Sequence, residues 1–505
     1  MKQVGLVFIM ILLALQGKAQ KTETGNLKLT LQNVIDLSIN QSSSVKYAQN
    51  RYENYFWRWK NFQAQFRPQL VLKGNLPNFR EGTEPVKQND GSVVFREVGR
   101  FQNNAELSLN QSIPQTGTRI YASSSIFRNE DLIKKDVNFS GDPFEIGFSQ
   151  PIFAYNWMKW SRKTETLVYD EAQKDFVEAI EEISRHATLR FFRYLRVQTN
   201  YRLAENNLAN SEDNLRIAKT KRKLGTISEN DFSRIRLSVL TAQKAKTQAS
   251  MDLKNADFEL KSYIGLDQST KIELEMPLNM FLFEVDAHKA LEEALTNRKE
   301  TIQYERRLIE ANRDLVKAKR NNGLAATLHG SYGTSNISLD LPGVYDDPAN
   351  QKFLKLSVAI PLLDWGKSTS NVKLAESKRD LVVFDVERDR ENFERTVIVQ
   401  VEQFGLLKAQ LEIAKEADNV AGNGYQIALK KFQNGEISIT DLNISLSERE
   451  KAKRDYIKSL ETYWTAFYRL RELTLYDFEK GQKIMYDNPL LHGLIKKKKT
   501  HRSTT

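Results

Sequence analysis

Cysteine is absent from the 505-residue chain. That excludes disulfides, thiol catalysis and thiolate metal sites. It also excludes a lipid-anchored N-terminal cysteine, so any attachment to a membrane must come from the fold. Histidine is scarce, and the five present (His186, His288, His329, His492 and His501) have no metal-ligand spacing. There is no phosphate-cradling glycine loop and no Gly-x-Ser-x-Gly elbow. Carboxylates are plentiful, but they fall along helical runs where solvated pairs are the default. No catalytic residue, metal or cofactor is therefore expected. Long apolar runs are missing too: after the N-terminus nothing approaches the roughly 18 residues of a membrane-crossing helix.

The N-terminus carries one short apolar run. Lys2 precedes Val4 to Leu15, and Gly17-Lys18-Ala19 follows as a small-x-small cleavage site. Residues 1–19 read as a secretory signal peptide. An exported chain without a transmembrane helix is either soluble or crosses a membrane as a β-barrel. The net charge of +11 is mild for the length, and part of it is the run Lys496 to Lys499. This points to no nucleic-acid partner. Residues 479–505 read as a basic, disordered tail.

Proline and internal glycine are missing from residues 155–223, which are rich in Ala, Leu, Glu, Lys and Arg. Good helix formers without a breaker predict one helix of nearly 70 residues, roughly 100 Å at 1.5 Å per residue. Helices are also expected over 29–66, 229–263, 287–320, 367–433 and 439–477. The long runs turn at two matching places. Leu224-Gly225-Thr226-Ile227-Ser228-Glu229-Asn230-Asp231 and Asn434-Gly435-Glu436-Ile437-Ser438-Ile439-Thr440-Asp441 lie 210 residues apart. Gly225 and Gly435 suit the left-handed position that ends a helix. Ser228 and Ser438 suit the N-cap of the next, and Asp231 and Asp441 fall where a carboxylate reaches back to the cap.

The register reaches further. Pro151 and Pro361 share the 210 offset, while Asn40 and Asn297, Tyr47 and Tyr304, and Gly74 and Ser331 suggest an offset of 257. The chain thus reads as an internal duplication, with a first repeat over 20–267 and a second over 280–478. About 47 extra residues lie in the first. Between the helices, residues 68–153 alternate apolar and polar side chains in runs of about nine or ten, separated by Gly, Pro, Asn and Ser. Shorter runs recur at 327–332 and 353–360. These are strand signals of bilayer-crossing length. Helix, strand pair, long helical hairpin, twice over, gives a mainly α chain with a β membrane part. The aromatic tract Tyr55 to Lys60 fits packing between helices or a membrane interface, and so does the cluster from Phe144 to Trp160.

With its duplicated order, its Gly-x-x-Ser-x-x-Asp turns and its Pro-Ile-Phe and Pro-Leu-Leu exits from the strands, the chain resembles the TolC-like outer membrane efflux proteins over about 29–478. The resemblance implies a homotrimer with one β-barrel in outer membrane lipid and one α-helical tunnel across the periplasm. It implies docking to a periplasmic adaptor (membrane fusion) protein and an inner-membrane pump of the RND or ABC type, in efflux or type I secretion. The docking tips would be Leu224, Gly225, Thr226, Asn434, Gly435 and Glu436. Asp231 and Asp441 match positions near the periplasmic aperture. Phe432 stands where relatives have an aperture tyrosine, and Ile437 where some have an arginine. The family norm is four strands per protomer, whereas the runs here allow six. The competing reading is a soluble periplasmic coiled-coil scaffold or adaptor.

Overall fold

The computed structural model describes residues 27–277, 283–434 and 436–486. The signal segment, Gly435 and the lysine run at 496–499 lie outside them. The helices are α1 (Leu31–Gln41), α2 (Ser43–Ala64), α3 (Trp157–Lys223), α4 (Glu229–Ile264), α5 (Ala287–Asn297), α6 (Lys299–Asn321), α7 (Lys367–Asn434) and α8 (Ile439–Thr474). The strands are β1 (Leu27–Leu29), β2 (Gln69–Asn75), β3 (Phe79–Lys87), β4 (Val93–Ile113), β5 (Thr118–Asp131), β6 (Asp136–Ile152), β7 (Ile272–Leu274), β8 (Ala325–Ser338), β9 (Ala349–Ala359), β10 (Tyr476–Asp477) and β11 (Gln482–Lys483). The β10–β11 pair places strand structure at 482–483, within the stretch expected as a disordered tail; the rest of that stretch from 487 lies outside the described residues.

Two of the expected helices are broken. Residues 29–66 split at Ser42 and residues 287–320 at Arg298, each with extended backbone (ψ 156° and 153°). The two breaks are 256 apart, as are the starts of α1 and α5, of α2 and α6, and of β2 and β8. The front offset is therefore 256 rather than 257. From the strands to the ends of the hairpins it is 210: α3 and α7 start at 157 and 367, α4 and α8 at 229 and 439. The extra length of the first repeat is 256 − 210, or 46 residues.

The chain forms two compact units. One comprises residues up to 47, 179–285 and 402–472; the other comprises 48–178, 286–401 and the residues from 473. The first is helical, with a parallel β1–β7 pair. Tyr194 Oη donates to Ile272 O at 3.1 Å, and the Gln198 amide donates to Leu274 O and accepts from Leu274 N at 3.1 and 3.0 Å. A side chain thus stands in for a neighbouring strand. An aromatic pile of Phe283, Phe404, Tyr463, Trp464 and Phe467, with centroids 5.4–6.0 Å apart, fills the interior.

In this unit α3 and α8 run antiparallel and are joined by evenly spaced polar rungs. Arg185 Nε donates to Glu472 at 2.6 Å, Arg196 Nη1 to Glu461 at 2.8 Å, and Asn207 Nδ2 to Glu450. On each helix the rungs are eleven residues apart (185, 196, 207 and 472, 461, 450). Eleven residues in three turns is about 3.67 per turn, slightly above the free helix, whereas a heptad seam falls below it. The apolar stripes alone could not separate these cases. A further bidentate pair, Glu181 with Arg471 at 2.9 Å, sits beside the ladder with the glutamate fully buried.

The second unit holds the large sheet, ordered β2-β4-β5-β6-β8-β9 with β3 also on β4. β2 and β3 lie in succession along one strand: β2 pairs with Asn104–Asn110 and β3 with Val93–Phe101. The sheet is thus six strand positions wide, four from the first repeat and two from the second. The extra residues of the first repeat make an additional hairpin within the sheet, not a loop. Against the helices of this unit, Trp59 stacks on Tyr169 at 4.6 Å and Tyr52 on Phe176 at 5.4 Å. Most of the aromatic tract in α2 is therefore packing, while Trp57 remains exposed.

Candidate functional site

Two features carry chemistry: the pair of turns and the two faces of the sheet. The first turn ends α3 with two backbone bonds. Gly225 N–H donates to Arg222 O at 3.1 Å and Thr226 N–H to Lys221 O at 2.9 Å, a Schellman closure with Gly225 at φ +70°. Without a Cβ, glycine takes that φ at no steric cost. Ser228 then caps α4, its Oγ accepting from Asp231 N at 3.1 Å and donating to the Asp231 carboxylate at 2.7 Å. The Arg222 guanidinium lies 4.4 Å from the Phe232 ring centre and 3.0 Å from Glu229.

The second turn repeats the Thr226 and Ser228 bonds. Glu436 N–H donates to Lys431 O at 2.9 Å, the counterpart of the Thr226 bond 210 residues earlier. Ser438 Oγ accepts from Asp441 N at 3.2 Å, and Asp441 Oδ2 accepts from both Ser438 N and Ser438 Oγ at 3.0 and 2.7 Å. This is a full reciprocal capping box. Asn434 Nδ2 donates to Glu436 at 3.0 Å. Both turns belong to the helical unit, and both are bare. Leu224 is 71% exposed, Thr226, Asn434 and Glu436 are exposed, and a Cβ at Gly225 would meet no atom within 4 Å. Asp231, Phe432 and Ile437 are half-buried, and Asp441 is exposed.

The hydrogen bonds from Ser438 hold the Asp441 carboxyl below the usual carboxylate range. A lowered acid contributes stability above its unfolded pKa of about 3.9, and that contribution is lost as pH falls through the folded value. Acid should therefore fray the start of α8 only below about pH 3.9. Ser438→Ala removes the leading cause of that shift, so the acid dependence should flatten while exchange at neutral pH rises. Hydrogen-exchange mass spectrometry of the peptide around 436–445, corrected for intrinsic exchange, reads this; identical pH profiles for parent and variant would sink the assignment.

The sheet is two-faced. Row by row, Leu70, Leu109, Ala122, Ile146 and Tyr332 lie across one face, and Gln111, Ile120, Phe148, Gly330 and Leu354 follow. The intervening row on the other face is Gln69, Asn110, Tyr121, Gly147 and Ser331, and the row beyond Leu109 on that face is Val71, Ser108, Ser123, Glu145 and Gly333. Lys73, Glu106, Arg119, His329, Lys355 and Ser357 also fall there by strand parity. The first face is apolar and bare, with Leu70, Leu72, Leu107, Ile146, Leu354 and Leu356 all exposed. Water does not tolerate so large an apolar skin on a soluble sheet. Lipid does, provided the other face is polar, which is the alternation of an outer-membrane strand. Phe144, Phe148, Phe153 and Trp157 stand exposed toward one end of β6 and the helix after it.

Among the described residues no helix is long and apolar enough to cross a membrane, and no group of three potential metal ligands converges.

Comparison with known proteins agrees with this geometry. Residues 290–474 match the family model described as outer membrane efflux protein. The toluene efflux pump outer membrane protein TtgF and the probable efflux pump outer membrane protein SepC, both of Pseudomonas putida, are each 23% identical over 242 residues, 47% of this chain and 49% of theirs. The match thus spans about half the length of these curated relatives. The Campylobacter jejuni CmeC outer membrane channel superposes with a TM-score of 0.64 at 13% identity, over 92% of this chain and 88% of that one. The Neisseria gonorrhoeae MtrE outer membrane channel gives 0.58 at 14% identity over 90% of each. Residues 290–474 thus resemble the outer membrane efflux protein family, and the chain as a whole has the fold of the TolC-like outer membrane channels.

Proposed function

We propose that this chain is the outer membrane channel of a tripartite efflux or type I secretion system. Three copies close one barrel in outer membrane lipid, and their paired helices form a tunnel in the periplasm. The channel is a passive conduit. Energy comes from an inner-membrane pump, of the RND or ABC type, joined through a periplasmic adaptor. The observation that carries this reading is the two-faced sheet, with an apolar band of Leu70, Leu72, Leu109, Ile146, Leu354 and Leu356 on one side and Ser108, Ser123, Glu145, Lys355 and Ser357 on the other. The similarity to efflux pump outer membrane proteins supports it.

The two matched turns are the proposed adaptor-docking tips: Leu224, Gly225 and Thr226, with Asn434, Gly435 and Glu436. Their exposure supports this, since a rigidly closed turn whose apolar Leu224 contacts solvent is a surface awaiting cover. Asp231, Asp441, Phe432 and Ile437, just inside the turns, are the proposed aperture residues. The carboxylates of Asp231 and Asp441 also accept from the capping hydroxyls of Ser228 and Ser438, which fixes them to the helix starts.

The test is extraction and docking together. The mature protein should remain in membranes after a carbonate wash and emerge in mild detergent as a three-fold hollow particle. Leu224→Asp, a substitution at an exposed site expected to cost under about 0.5 kcal/mol, should keep that particle, abolish adaptor co-purification and lower efflux at least tenfold. A protein soluble without detergent would overturn the channel reading. Unchanged co-purification of Leu224→Asp would overturn the tip assignment alone.

A further inference from the structure

The internal duplication makes each turn a control for the other, and their charges differ. Residues 216–236 carry seven lysines and arginines against two carboxylates, Glu229 and Asp231. The matching stretch, 426–446, carries Lys430 and Lys431 against Glu436 and Asp441, a net charge of zero. At the 210 offset, Lys219, Lys223, Arg234 and Arg236 correspond to Leu429, Gln433, Ile444 and Leu446. Local chemistry does not require the excess. Cations in the last turn of α3 suit the negative helix end, yet α7 closes with Lys431 alone in that turn. Arg234 and Arg236 stand on α4 past its first turn, toward the end that favours anions. Lys219 and Lys223 sit four apart on one helix, where like charges repel.

Two of these cations have carboxylate partners within the chain: Arg216 pairs with Asp213 at 2.9 Å and Arg222 with Glu229 at 3.0 Å. Among the described residues Lys219, Lys221, Lys223, Arg234 and Arg236 make no ion pair, and all five are exposed. Between the two helices that carry them stands Leu224, itself bare. An apolar centre with a charged rim is the anatomy of a docking patch. We infer that the first turn receives a surface of net negative charge: the tip of the adaptor is acidic where it meets Leu224, and its carboxylates pair with these five cations. The inference rests on the docking reading above. The second turn is net neutral and is flanked by Ile427 and Ile444, 58% and 54% exposed, so it meets the adaptor through apolar contact.

A charged rim acts mainly on encounter. Opposed surface charges speed association and make it fall with salt, while apolar contact does neither. Ionic strength therefore tells the two turns apart: the first guides the adaptor in, and the second keeps its grip in salt.

The test times association by biolayer interferometry, using the detergent-extracted channel and the adaptor that co-purifies with it. Between about 0.1 and about 1 M salt the screening length falls from about 10 to about 3 Å. Over that range the association rate of the parent should fall about tenfold or more. The variant Lys219→Gln, Lys221→Gln, Lys223→Gln should associate about tenfold more slowly at the lower salt and lose most of the salt dependence. Lys430→Gln with Lys431→Gln, before the second turn, should keep the parental rate and slope. If the first variant does not assemble, Arg234→Gln with Arg236→Gln carries the same test on the other helix. Parental association by the first-turn variant overturns the inference and leaves the tip assignment standing. So does a variant that docks normally but changes the ion selectivity of the channel in a planar bilayer, since these cations would then serve the pore. Failure of any adaptor to bind the parent channel overturns both readings.

Discussion

Replacing Arg471 by methionine should destabilise the helical unit by about 3–5 kcal/mol, the usual cost of leaving one buried charge without its partner. Glu181 has no exposed surface, and both of its oxygens accept from the Arg471 guanidinium at 2.9 Å. Methionine keeps the volume but donates nothing, so the buried carboxylate loses both hydrogen bonds from the guanidinium and its opposite charge. The double variant Glu181→Leu, Arg471→Met removes both charges and should recover most of the loss, because a buried pair gains little over well-packed apolar residues. Denaturant titration of helical circular dichroism in detergent gives both numbers. If Arg471→Met cost less than about 1 kcal/mol, a typical net hydrogen bond, the pair would be ornamental and this account wrong.

Phe404→Ala should cost a similar amount, about 3–5 kcal/mol, through a different mechanism. Phe404 is 5% exposed and sits between Phe283 and Tyr463, with centroids 5.7 and 5.4 Å away. Truncation removes most of a ring from the middle of a stack whose members are fixed on α7, on α8 and on the segment before α5. Each is anchored by its own element, so the hole cannot close by sliding. Phe404→Leu keeps much of the volume and should cost under about 1.5 kcal/mol. The contrast between the two variants separates cavity formation from a specific aromatic effect; equal losses would favour the latter.

How much of this was legible in the sequence depended on whether the signal was local. The long helices were, since nothing in 157–223 interrupts them, and their bounds fall within two residues of expectation. The turns were legible for the same reason: a left-handed glycine and a serine cap work within six residues of chain. The breaks at Ser42 and Arg298 were not, because neither carries a glycine or proline. Ser42 is fully buried and caps Val45 N at 3.1 Å, while buried Arg298 is held by Glu178 and Glu300. Such tertiary contacts override local preference. The repeat offset shows the same limit. Matching letters suggested 257, but Leu70 and Leu72 share a face with Ala326 and Leu328, so only an even number superposes the pleats. A signal was present in the helix-start pattern, where the caps Thr30 and Asp286 stand 256 apart. The residues proposed for docking stand out as a repeated motif, and the width of the sheet was left open between four and six.

The eleven-residue ladder between α3 and α8 has a direction to it. Its rungs pass from Arg185–Glu472 and Arg196–Glu461 to Asn207–Glu450, and one repeat further toward the turns the facing residues are Ala218 and Ile439, with no polar rung. Two ion pairs thus give way to an amide–carboxylate bond, and that to no polar rung. Opening free energy in a folded protein follows such local gradients. The pair of helices behaves as a zipper with graded teeth, unfastening from the turn end and arrested at Arg196, without any hinge residue being needed.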